Sequence, residues 1–294
     1  MITPLLVAAT ACGPVSGDVS SASYTYDRLD RLASVTEPDY TTTFGAWSSG
    51  TATNTAGQPR HAPKYLGSPS YAFVYDPAGN MTTRWLQQGT SYLQYTQAFN
   101  ADNRLYQVTG NGYTLTYDLD AQTGATIRRA QTSGGSTTTT TDFVLQYYQK
   151  NVTSGEVTKF YYFGGQRIAQ RVGATGLSYI QGDHLGSATL LTDSSGAVQT
   201  RYRFAPYGRQ REGSATTDRR FTGQRLESAT SLYDSQARSY APALGLFVSP
   251  DPIVPEPGRP AALNRFAYAL GNPVKYNDPS GHYVVWNTSE RRRM

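Results

Sequence analysis

The chain has 294 residues, a net charge of +5 and only 16% charged residues, yet its mean hydropathy is -0.50, so uncharged polar side chains supply the hydrophilicity. With 23 Tyr, 28 Gly and 16 Pro, it suits short pleated strands broken by turns. This composition excludes a coiled coil, which draws about half its residues from Ala, Glu, Lys, Leu and Arg. Aromatic residues at 12% with so modest a charge exclude a disordered chain.

Residues 1–150 carry a net charge of -1 and residues 151–294 one of +6. The cations are mostly scattered arginines, and the run Arg291–Arg292–Arg293 is short and not interleaved with aromatics, so nucleic acid is not a favoured partner. No run of 18 apolar residues is present, so no membrane-spanning helix is expected. Cys12 is the single cysteine and excludes an intramolecular disulfide. Together with three scattered histidines it gives no metal-ligand spacing. No metal or cofactor is implied.

Residues 1–20 form an N-terminal segment with no repeat text. Met1–Cys12 has an apolar run, small residues and a cysteine, loosely like a lipoprotein signal, but lacks the basic residue of an n-region. The other reading is that Met1 starts inside a longer ancestral frame.

From residue 21 a pattern recurs. Tyr24-Thr-Tyr-Asp27…Arg31-Leu32, Phe73-Val-Tyr75-Asp76-Pro-Ala-Gly79-Asn80-Met81, Phe99-Asn100-Ala-Asp-Asn103-Arg104-Leu105 and Tyr117-Asp118…Gly124 share an aromatic–acid or amide pair, a Gly or Asn/Asp, then mostly Arg or Asn and Leu or Met. Asp or Asn after the aromatic can bond the backbone ahead and open a turn. Gly79 and Asn103 tolerate positive φ at its centre. The aromatic before the turn and the Leu or Met after it then meet as a cross-strand pair. Such a hairpin is too small to bury its own face and must stack on neighbours. Residues 40–70, rich in Gly, Ser, Thr and Ala, read as irregular loop or a decayed repeat. Gly164-Gly165 stands between two strand-like runs and reads as a hairpin turn rather than a phosphate loop. Tyr147, Tyr148, Tyr161 and Tyr162 read as sheet packing, with sugar binding as the alternative. Ser187 lacks a nucleophile elbow, and His61 falls in a loop. Ala261–Tyr268, without strand alternation and following Pro260, predicts one short helix.

These repeats resemble the YD repeats of the RHS and teneurin-like families. Downstream the likeness continues through Gly182-Asp183-His184-Leu185-Gly186-Ser187, Tyr207-Gly208, Phe221-Thr222-Gly223-Gln224, Leu232-Tyr233 with Arg238 and Tyr240, and Leu244–Pro252. It closes with Asn264-Arg-Phe266, Asn272-Pro273 and Asp278-Pro279-Ser280-Gly281. That order resembles the RHS repeat-associated core of bacterial polymorphic-toxin proteins. The resemblance implies an all-β fold: YD-type antiparallel hairpins over 21–180 wound into a partial shell, or β-cage. An RHS core over 181–281 would seal one end, and 282–294 would form a short tail.

The resemblance also implies chemistry. The family's self-cleavage is attributed to two aspartates, matched here by Asp251 and Asp278, with the cut between His282 and Tyr283. Two neighbouring carboxylates share one proton, so one activates water and the other protonates the carbonyl oxygen or leaving amine. Pro279 and Gly281 would hold the bond in a tight turn. The sequence departs from the pattern in three places: Val254 stands where the first motif has Gly, His282 where Leu is common, and Ala241 in the arm after Tyr240. The alternative for both aspartates is a plain turn role, and His282 reads as a spectator or a proton carrier. The 13 residues after Gly281 are too few for a toxin domain, so the expectation is a shell and core segment without payload. Its partner would be a C-terminal toxin or remaining shell encoded elsewhere, and its location secreted or cell-surface. The alternatives are an adhesion module that binds protein or carbohydrate through Tyr-rich faces, and a non-functional truncated remnant.

Overall fold

A five-residue loop, used over and over, sets the architecture. In the loops starting at Asp27, Asp76, Asn100, Asp183 and Asp193, the N–H of the first residue donates to the carbonyl of the fifth at 2.9–3.0 Å. The side-chain oxygen of the first accepts the N–H of the fifth at 2.8–3.0 Å. The fourth position takes positive φ at Gly79 (93°), Asn103 (59°), Gly186 (86°) and Gly196 (86°). The chain thereby reverses with its turn groups satisfied locally. The aromatic before the loop lands opposite the apolar residue after it: Tyr26 faces Leu32, Tyr75 faces Met81 and Phe99 faces Leu105. The fourth repeat differs from expectation. Asp118 lies within a strand opposite Arg128, and Asp120 opens the turn by accepting the N–H of Gln122 and Thr123. Shorter hairpins turn on two residues of positive φ, at Asn111-Gly112, Gly134-Gly135 and Gly164-Gly165; the last is the expected hairpin.

The computed structural model describes residues 22–27, 31–37, 40–45, 61–214, 216–254 and 260–286. Cys12 and the arginines at 291–293 lie outside them. β1 (Ser23–Tyr26), β2 (Leu32–Glu37), β3 (Tyr40–Gly45) and β4 (Tyr65–Leu66) form one sheet in chain order. A thirteen-stranded sheet follows, every strand antiparallel to its sequence neighbour. It comprises β5 (Val74–Tyr75), β6 (Met81–Gln88), β7 (Ser91–Phe99), β8 (Leu105–Gly110), β9 (Tyr113–Leu119), β10 (Thr126–Ser133) and β11 (Ser136–Val144). It continues through β12 (Tyr148–Asn151), β13 (Val157–Phe163), β14 (Gln166–Val172), β15 (Gly176–Gly182), β16 (Ala188–Thr192) and β17 (Val198–Arg201).

The strip curls. The hairpin after it, β18 (Arg203–Phe204) and β19 (Gln210–Glu212), returns to the first strands: Tyr207 Oη lies 2.9 Å from Tyr26 Oη, and Arg209 pairs with buried Glu37. The chain then runs back along the wall's inner face. Arg167 in β14 donates to the carbonyl of Arg219 (2.6 Å), Arg129 in β10 meets Glu227 (2.6 Å), Arg84 in β6 donates to the Thr230 carbonyl, and Tyr40 in β3 donates to that of Ala243 (3.2 Å). This returning segment contains β20 (Arg225–Glu227), β21 (Leu232–Ser235), β22 (Arg238–Ala241) and β23 (Leu246–Phe247), then β24 (Tyr276–Asn277) and β25 (Val285–Trp286). One core joins the two layers, with Met81, Tyr95 and Val108 of the wall packed with Tyr240, Phe247 and Phe266 of the returning chain.

Two expectations are corrected. The helix over Ala261–Tyr268 is absent: a 3-10 turn covers Pro260–Leu263, another covers Ala269–Gly271, and Ala267 bridges Leu246. A backbone bridge to β23 leaves those residues no room for helical hydrogen bonding. Tyr147 and Tyr161 are not packed beneath the sheet; they are 50% and 39% exposed, and Tyr147 meets Tyr162 edge-on at the surface.

Candidate functional site

The site assembles around Arg238, the first residue of β22, which follows a tight turn at Gln236 (φ 62°). Burial leaves its guanidinium only protein partners, and every nitrogen has one. Nε donates to the Gly281 carbonyl, Nη1 to the Arg265 carbonyl (2.9 Å), and Nη2 faces both Asp251 Oδ2 (2.9 Å) and Asp278 Oδ2 (3.3 Å). Its Cζ lies 3.7 Å from the centre of the Phe247 ring. Burial pushes the Arg238 pKa down to about 10 against the pull of the two carboxylates, so it stays cationic at neutral pH.

Asp251 and Asp278, expected as a pair, thus meet on one nitrogen, and both are buried. Asp251 is held by its own N–H donating to Arg265 (2.9 Å), and its Oδ1 accepts the Ile253 N–H (2.9 Å). His282 Nδ1 lies 2.9 Å from the same Oδ1. Asp278 follows β24 and leaves the sheet into a bend. Burial holds its carboxyl above the usual range; Asp251 adds to that, while Arg238, the Gly281 N–H and His282 oppose it.

The bend carries the bond before Tyr283. Gly281 has φ 75°, and a Cβ there would stand 2.6 Å from the Ser235 carbonyl oxygen and 2.9 Å from the Arg238 nitrogen. Only glycine fits without displacing backbone. The Pro279 carbonyl accepts from Gln224 (2.9 Å), and the Ser280 carbonyl from the Ala237 N–H (3.1 Å). Ser280 Oγ accepts the N–H of His282 (3.2 Å) and of Tyr283 (3.1 Å), and it reaches Asp278 Oδ1 at 3.4 Å. Past Tyr283 the chain pairs back on β24, with Val285 opposite Asn277. Tyr283 is exposed. A cavity of about 30 Å³, lined in part by Arg104, Glu227, Asp234 and Arg238, lies behind the site; it has room for a water.

Sequence reasoning did not assign Arg238 or Ser280 a role in the site. The signal for Arg238 was the one cation in the arm between Leu232 and Tyr240. The other candidates are structural: Ser187 Oγ accepts the Thr222 N–H (3.0 Å), and His184 Nε2 lies 2.9 Å from the Val274 carbonyl. Among the described residues no three His, Cys, Asp or Glu side chains cluster to hold a metal, and no helix is long and apolar enough to cross a membrane.

No protein-family model matches the chain. It is similar to the tRNA3(Ser)-specific nuclease WapA of Bacillus spizizenii, 27% identical over 220 residues, which covers 71% of this chain and 9% of that protein. It is also similar to double-stranded DNA deaminase toxin A of Burkholderia cenocepacia, 33% identical over 106 residues, 34% of this chain and 7% of that protein. Among solved structures, the TcdB2–TccC3–Cdc42 crystal structure superposes with a TM-score of 0.67 at 21% identity, covering 90% of this chain and 13% of the other. The Photorhabdus luminescens Tc holotoxin pore gives a TM-score of 0.67 at 20% identity over 89% of this chain and 13% of that one. The fold is therefore shared with these toxin-complex chains, and the protein spans only a small part of the length of each relative.

Proposed function

We propose that this chain is an end-sealing segment of an RHS-type toxin shell, and that it hydrolyses its own backbone between His282 and Tyr283. The observation that carries the cleavage reading is the single guanidinium nitrogen of Arg238 facing both Asp251 and Asp278, while the same side chain grips the carbonyl of Gly281, one residue before the reacting unit. Asp278, with its raised pKa, is the proton donor, and Asp251 is the charged base. Water adds to the His282 carbonyl carbon as Asp251 takes a proton from it. The carbon–nitrogen bond then breaks as the Asp278 proton passes by way of Ser280 Oγ to the Tyr283 nitrogen. The products are a carboxyl group on His282 and a free amine on Tyr283. Arg238 keeps both acids in register, and the pinned bend supplies the orientation that lowers the entropic part of the barrier.

Support for the shell reading comes from the curled antiparallel wall, its internal lining by the returning chain, and the likeness to the Tc toxin structures. On this reading the partners are further shell strands or a toxin segment, and the protein is secreted or surface-bound. Intact mass spectrometry of the purified chain tests the cleavage. Loss of the segment from Tyr283 onward in the native chain, and its retention in Asp278→Asn, is the expected result; equal retention in both overturns it. Exposed Leu145 (78%), Phe163 (80%) and Tyr147 favour a second reading, an adhesion module, which glycan-array binding by an uncleaved chain would support.

A further inference from the structure

A second polar cluster lies between β14 and the returning chain, outside the cleavage bend. Arg167 of β14 and Arg219 of the returning chain both stand over the buried Phe160 ring, with guanidinium carbons 5.8 and 4.6 Å from its centre. Arg167 Nη2 donates to the Arg219 carbonyl (2.6 Å). Arg167 Nη1 and Arg219 Nε are fully enclosed and have no acceptor among the described residues. Arg220 adjoins them, and its guanidinium bonds only neutral oxygens, the Thr217 carbonyl (2.8 Å) and Gln210 Oε1. Neighbouring Thr216 and Thr217 are already engaged by Gln170 and Tyr202. Asp218 is the acid in the stretch, and it makes no ion pair to any of the three arginines among the described residues. Burial, with Arg219 adding to it, pushes the Arg167 pKa down to about 10, while Tyr162, Asp218 and Tyr202 oppose the shift.

Enclosed guanidinium N–H groups without an acceptor are costly unless an anion or strong acceptor offsets them. Elsewhere three enclosed arginines meet a carboxylate: Arg129 meets Glu227, with its Nε left without an acceptor, Arg225 meets Asp234, and Arg238 meets Asp251 and Asp278. We infer that Arg167 Nη1 and Arg219 Nε form a binding site for one small oxyanion, a phosphate or a carboxylate, held against the Phe160 edge between wall and returning chain. Guanidinium N–H groups suit oxyanions because they supply charge and directed donors together.

The test is calorimetric titration of the full chain with inorganic phosphate and, separately, acetate, with chloride balancing ionic strength. Saturable binding of one anion per chain is expected, with a rise in Tm of about 2 °C near saturation. It should weaken at least 10-fold in Arg219→Gln and persist in Arg171→Gln, which alters an exposed arginine of the same strand. Binding of phosphate alone marks a phosphate site; binding of acetate as well marks a carboxylate site. No saturable binding of either, or undiminished binding in Arg219→Gln, overturns the inference. If that variant fails to fold, the Arg219 Nε–H resonance of the native chain decides: it must move on titration, and movement confined to Arg171 and other exposed arginines refutes the site.

Discussion

Asp183 and Asp278 sit in superficially similar motifs, an aspartate heading a short bend with glycine three residues on, yet they do opposite work. Asp183 spends its carboxylate on its own loop, accepting the N–H of Leu185 and Ser187. Asp278 has a backbone bond from its own bend too, but its Oδ2 faces Arg238, 40 residues earlier, beside Asp251, 27 residues earlier. The first aspartate is a local fold device whose energy is set within five residues. The second is a tertiary device, and its charge is unfavourable until the returning chain brings a guanidinium to it. On the proposed reading, burial against a second acid and a shared cation is what sets Asp278 apart from a plain turn aspartate.

The largest expected effect comes from removing that cation. Arg238→Met leaves two buried carboxylates without their shared cation, and chemical denaturation should show a loss of about 3–5 kcal/mol, along with loss of cleavage by mass. Gly281→Ala should cost about 2 kcal/mol or more, since the left-handed φ and the contact with the Ser235 carbonyl both penalise a methyl group; thermal melts and cleavage rates measure it. Asp183→Ala strands two N–H groups and should cost about 1–2 kcal/mol in the same melts while leaving cleavage intact. An equal loss of cleavage there would erase the distinction between the two aspartates.

Asp278→Asn sharpens the comparison through pH. The folded-state pKa of Asp278 lies above its unfolded value, so its stabilising contribution is complete below the unfolded value and is lost as pH rises through the folded one. The variant should therefore melt at or above the native temperature at neutral pH, the difference vanishing on acidification below the ordinary carboxylate range, although it cannot cut. Native cleavage should likewise fall as pH rises through the Asp278 titration.

The hairpin loops were legible because their causes are adjacent in sequence: Asp76, Gly79 and Met81 define the turn, its handedness and its cross-strand partner without help from elsewhere. Asp118 misled because the wider loop at Asp120 uses the same residue types two positions later. The two catalytic candidates and the bend residues entered through family likeness, and the geometry brings them together. Arg238 was visible as text but not as a site residue, since its polar partners lie 13 to 43 residues downstream and depend on how β22 packs. The helix expected over Ala261–Tyr268 failed for a related reason: Ala267 is captured by β23, a pairing that local propensity does not encode.

The retraced path has a consequence for the order of synthesis. Tyr40 finds the Ala243 carbonyl 203 residues later, and Met81, Tyr95 and Val108 wait for residues beyond 230 before their apolar side is covered. A nascent wall emerging from the ribosome therefore holds an open greasy face until the returning segment has been made, and contacts of such separation close slowly. The carboxylates and their guanidinium lie in the segment that shuts that face, which would tie any self-cutting to the closed fold.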